Sequence, residues 1–76
     1  MELNNKESLI NFEYEGVNYE CCKFMSKEGI YSYCVIKNKE VILDSISEAK
    51  ETFMMILLNI FPEIGIKKLS EILSAL

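Results

Sequence analysis

The chain has 76 residues, half of them hydrophobic, and its eight basic side chains against twelve acidic ones leave a formal net charge of −4. All the cations are lysine, and histidine and tryptophan are absent as well; without imidazole or guanidinium, most acid/base enzyme mechanisms, phosphate grips and base readers lack their usual residue. Net negative charge also repels a polyanion, which weighs against direct nucleic-acid binding.

From Leu9 to Glu15 apolar and polar residues alternate, so Ile10, Phe12 and Tyr14 share one face of a strand over 9–15. Glu15 and Gly16 suit a two-residue hairpin loop into a second strand over 17–25, a register that sets Tyr14 against Val17, Phe12 against Tyr19 and Ile10 against Cys21. Ser26 to Gly29 reads as a four-residue loop into a third strand over 30–37, with Met25 against Ile30, Cys21 against Cys34 and Tyr19 against Ile36. A turn at Asn38 and Lys39 leads to a short fourth strand over 40–44, pairing Lys37 with Glu40, Ile36 with Val41 and Cys34 with Leu43. The three turns agree on one inner face, since a one-residue slip is expected to carry Glu or Asn inside.

Ser45 followed by Glu48 matches a capping box, so a helix is expected over 46–61. Ala49, Phe53, Ile56, Leu57 and Ile60 recur at helical spacing, and Met54, Leu58 and Phe61 form a second stripe beside them, an apolar arc roughly 200° wide. Pro62 interrupts, and after Gly65 a second amphipathic helix over 66–75 carries Ile66, Leu69, Ile72 and Leu73 on one side, with Leu76 just beyond it. The expected fold is α+β, a four-stranded antiparallel meander followed by two C-terminal helices (ββββαα). One sheet cannot cover the whole arc of the first helix. Either the last helix folds back over it, or Met54, Leu58, Phe61, Leu69 and Leu73 meet a second copy, and a homo-oligomer, dimer or higher, is the expectation.

The length allows a single domain, 1–76, and so small a body hides only roughly 60% of its unfolded surface. Met1 to Ser8 are polar with no apolar leader core, and the longest apolar run, Phe53 to Phe61, holds nine residues with Asn59 inside it, against roughly 20 for a bilayer span. No membrane segment is expected. Three cysteines, an odd number, fit a reduced, cytoplasmic protein, and abundant Ile, Asn, Lys and Glu fit AT-rich coding, as in a low-GC bacterium, a phage or another mobile element.

The expected register leaves Cys22, Phe24, Tyr31, Tyr33, Val35 and Ile42 on the sheet face away from the helices. An aromatic patch of that kind marks a surface for a protein partner, unless the C-terminal helix covers it and makes the sheet a middle layer. Cys21 and Cys22, adjacent on a strand, point to opposite faces and cannot share one ion, so no metal site is expected and the thiols read as small buried hydrophobes. No cofactor is expected either, because three glycines provide no phosphate loop. Ser70 and Ser74 have no imidazole to activate them, and no carboxylate sits in an apolar stretch, so an enzyme is not expected.

These features imply a non-catalytic, self-associating module that regulates or inhibits a protein partner. One alternative is an oligomeric small-molecule sponge, with Lys23, Lys37 or Lys39 near the phosphates of a nucleotide and a tyrosine stacked on its base. Another is an acidic mimic of nucleic acid that presents Glu13, Glu15, Glu20, Glu40 and Asp44, whose binding would weaken steeply with salt.

Overall fold

The computed structural model describes residues 3–76; Met1 and Glu2, included in the single domain expected over 1–76, lie outside the described residues. Four strands come first, β1 (Asn4–Tyr14), β2 (Val17–Met25), β3 (Tyr31–Lys37) and β4 (Glu40–Val41), followed by a 3-10 turn at Leu43–Ser45 and two helices, α1 (Lys50–Ile60) and α2 (Ile66–Ala75). The strands form one antiparallel sheet in the order β1-β2-β3-β4, the α+β meander that the alternating pattern implies. Among the described residues no helix is long and apolar enough to cross a membrane.

Two of the three turns set the register by backbone chemistry. Glu15 and Gly16 have φ of 50° and 79°, and Asn38 and Lys39 have 51° and 66°, the left-handed pairs that let a two-residue loop match the strand twist. Phe12 therefore faces Tyr19, Ile10 faces Cys21, Lys37 faces Glu40 and Ile36 faces Val41. β1 begins at Asn4 rather than near Leu9. Its polar first half lacks alternation because register shifts break it between Asn4 and Glu7 and between Ser8 and Ile10.

The β2–β3 connection differs from the expected four-residue loop. Ile30 belongs to the loop, Met25 pairs with Tyr31, and every later pair moves by one: Cys22 faces Cys34, Cys21 faces Val35, Tyr19 faces Lys37. Ser26 causes this. Its amide donates to the Ile30 carbonyl at 2.8 Å, its hydroxyl accepts the Ile30 amide at 3.1 Å, and its carbonyl accepts the Gly29 amide at 3.0 Å, with Gly29 at φ 78°. A one-residue shift turns β3 over, so Tyr31, Tyr33 and Val35 face the helices and Ser32, Cys34 and Ile36 face away.

β4 stops at Val41 instead of residue 44, and Leu43, expected opposite Cys34, lies in the 3-10 turn and is 68% exposed. The turn bulges outward, and Ser47 then rejoins β3, exchanging both backbone hydrogen bonds with Tyr33 at 2.7 and 3.0 Å. Ser45 is thereby drawn into the sheet and forms no capping box. α1 starts at Lys50 rather than 46, with Ala49 at its N-terminal boundary and only the Ser47 hydroxyl, 3.3 Å from the Ala49 amide, nearby.

Both helices pack on one face. Phe53 and Leu57 of α1 and Ile72 of α2 bury against Phe12, Cys21, Tyr33 and Val35. The other face carries a smaller buried group, Cys22, Phe24, Cys34 and Ile36, flanked by Leu3, Val41 and Ile46. No helical residue belongs to it; its cover comes from the two margins of the sheet.

Candidate functional site

Turning β3 over divides the expected partner-binding face. Cys22 and Phe24 lie on the reverse face, whereas Tyr31, Tyr33 and Val35 lie on the helix side with Ile42 at the edge of that core. Cys22, Phe24, Tyr33 and Val35 are all buried, and the Tyr33 ring stacks on Phe53 with centroids 5.5 Å apart. The six residues thus form no common surface, and the sheet is not a middle layer either. Tyr31 alone stays open, 48% exposed beside Ile30, with the Lys23 ammonium 4.8 Å from its ring centroid.

The residues expected at an oligomer interface separate in the same way. Phe61 is 1% exposed and is the hub of an aromatic cluster, with ring centroids 5.2 Å from Phe12, 4.9 Å from Tyr14 and 4.8 Å from Tyr19. Leu69 packs against the same core, and Met54 and Leu73 are half-buried. Leu58 is 39% exposed and Met55, on the helix side opposite Phe53, is 57% exposed. From Thr52 to Pro62 no charged residue occurs, so the solvent side of α1 is uncharged beyond its first two residues, with Met55 and Leu58 exposed between Thr52 and Asn59. Two residues separate Met55 from Phe53, or about 200° of helix turn, and that angle was the signal by which the pattern could have marked Met55 as outward-facing.

The cysteines are held as packing groups. All three are free and fully buried, and burial pushes the Cys21 and Cys22 thiols up to about 12 and Cys34 up to about 11. Thiols held this far from thiolate stay protonated at ordinary pH. Among the described residues no cluster of three His, Cys, Asp or Glu side chains could hold a metal ion.

The acidic strip is interrupted by lysine. The Glu20 carboxylate lies 3.3 Å from the Lys6 ammonium, and a hydrogen bond from Ser8, reinforced by Lys6, holds its carboxyl below the usual range. Lys68 of α2 donates to the Glu13 carbonyl at 2.7 Å, which brings a cation to the first hairpin beside Glu13 and Glu15. Glu13, Glu15, Glu40 and Asp44 are otherwise exposed. The lysines do not converge: Lys23 faces Tyr33 while Lys37 faces Tyr19, four residues away along β2, and Lys39 sits in the last turn beside a depression of about 220 Å³ near Lys6.

Comparison with protein-family models, with curated proteins and with solved structures finds no match to this chain.

Proposed function

We propose that this protein is a non-catalytic interaction module that self-associates through the outer side of α1 and acts by occupying a protein partner. One observation carries the reading: Met55 and Leu58 are exposed on a helix side that bears no charge from Thr52 to Pro62, on a chain whose other helix carries Lys67, Lys68 and Glu71. A water-facing helix normally places charge there, and exposed apolar area of this kind on a small domain marks an interface. Methionine suits the role because its unbranched thioether adapts to a partner surface.

Scale supports a limited contact. A standard interface takes about 800 Å² from each partner, close to a sixth of the 5096 Å² surface of this chain. The uncharged part of α1 from Thr52 to Ile60, about 13 Å long at 1.5 Å per residue, can form the centre of such an interface and needs a polar rim from its neighbours. The absence of histidine and arginine supports a binding role over chemistry. Sedimentation equilibrium of the native chain and of Leu58→Glu tests the reading: a concentration-dependent dimer that becomes monomeric in the variant is expected, and a monomer in both overturns it.

A further inference from the structure

On the reverse face, Leu3 at the start of β1 and Ile46 after the 3-10 turn approach Phe24 from opposite margins of the sheet. Between them opens a cavity of about 560 Å³ with Leu3, Phe24, Met25 and Ile46 as apolar lining, within the roughly 300–1,000 Å³ range of small-molecule sites. Ser32 lies at its wall, 2% exposed and directly opposite Phe24 on β3. Its hydroxyl takes part in none of the side-chain hydrogen bonds formed among the described residues. Among the described residues every side-chain oxygen or nitrogen that is sealed from solvent has a partner. The Ser32 oxygen is therefore not sealed, and the cavity that its residue lines is the opening it faces.

A nearly buried hydroxyl at the wall of a recess favours an occupant that completes its hydrogen bonding. The charges at the cavity are one lysine, Lys27, and one glutamate, Glu48, so the lining carries no net charge, and Asn4, Ser26 and Ser47 complete its polar part. Phe24 and Met25 add a ring and a thioether, both good neighbours for an aromatic group. We propose that this cavity binds an uncharged aromatic small molecule with a single hydrogen-bonding group, its ring against Phe24, Leu3 and Ile46 and its polar atom on the Ser32 hydroxyl. This site is independent of the α1 surface and of self-association.

Indole, uncharged with one N–H donor, and toluene, of similar apolarity with none, are the probes, titrated into ¹⁵N-labelled protein and followed by amide shifts. Saturable shifts at Phe24, Ser32, Ile46 and Ser47 are expected with both. Ser32→Ala should weaken indole roughly fivefold, the effect of one net hydrogen bond, and leave toluene unchanged. Ile46→Trp should fill the cavity and abolish both, with its fold read from the same spectra. Shifts that stay linear to the solubility limit, that centre on α1, or that fall equally for both probes in Ser32→Ala overturn the proposal.

Discussion

The Val35 amide reaches the Ile42 carbonyl only through the hydroxyl of Ser45: the amide donates to Oγ at 2.8 Å, and Oγ donates to the carbonyl at 2.6 Å, while the Ile42 amide returns to the Val35 carbonyl at 2.9 Å. One rung of the β3–β4 ladder is thus widened to admit a side chain from the 3-10 turn. That insertion lets the chain leave the sheet after Val41, rejoin it at Ser47 and enter α1 from there.

Ser45 is fully buried, so Ser45→Ala should leave an amide and a carbonyl without partners and cost about 2 kcal/mol. Urea unfolding reads this directly. A loss near zero would mean that the rung closes to a direct bond when the hydroxyl is gone.

The hydroxyl also explains the false capping box. A Ser followed three residues later by Glu is the pattern that starts a helix, but Ser45 can serve only one set of partners, and the sheet holds it. The first and third turns were legible because Glu15–Gly16 and Asn38–Lys39 are short and accept left-handed backbone. The second was not, because both sides of β3 are apolar or small: Tyr31, Tyr33 and Val35 on one, Ser32, Cys34 and Ile36 on the other. A one-residue shift there buries no Glu or Asn, so alternation did not discriminate, and the five-residue loop made by Ser26 decided the face. The aromatic patch assigned to the outer face was lost with that shift. On α1 the stripe Met54, Leu58 and Phe61 marked Leu58, which is exposed, but grouped it with buried Phe61 and half-buried Met54 and passed over Met55.

Phe61→Ala should remove the hub of the Phe12, Tyr14 and Tyr19 cluster, at a cost of about 3–5 kcal/mol. Natural domains have only about 5–15 kcal/mol in total, and a chain of this size sits toward the low end. Circular dichroism should find the variant largely unfolded near 37 °C, whereas Phe61→Leu, which keeps most of the volume, should fold with a lowered Tm. An Ala variant as stable as the native chain would contradict the role given to Phe61.

The buried thiols should set the alkaline limit of stability. Their pKa values in the fold, about 12 for Cys21 and Cys22 and about 11 for Cys34, exceed the reference of 9.0, so above that reference the unfolded chain loses protons that the fold retains. Their contribution is fully present below pH 9 and is lost as pH rises through the folded values. Replacing all three with alanine should flatten the fall in urea stability above pH 9. An unchanged slope would assign it to the tyrosines and lysines.

Glu20 acts at the other end of the scale. Its carboxyl is held below 4.5, chiefly by Ser8 and then by Lys6, so its contribution is present above that value and is lost as pH falls through the folded pKa. Glu20→Gln should match the native chain in strong acid and fall slightly below it at pH 7, a shallower acid limb whose size is small because a partly exposed pair such as Lys6–Glu20 contributes little. Acid titration followed by circular dichroism reads the difference, and parallel acid limbs would show that other carboxylates govern it.

The most direct measurement of the α1 interface is an isotope-filtered NOE experiment on an equimolar mixture of ¹³C-labelled and unlabelled chains, which reports only contacts between copies. Cross-peaks from the Met55 methyl and the Leu58 methyls, with none from the buried Tyr33 ring, are the expected result. Cross-peaks centred on Tyr31 or Phe24, or none at concentrations where the chain sediments as a dimer, would contradict self-association through α1.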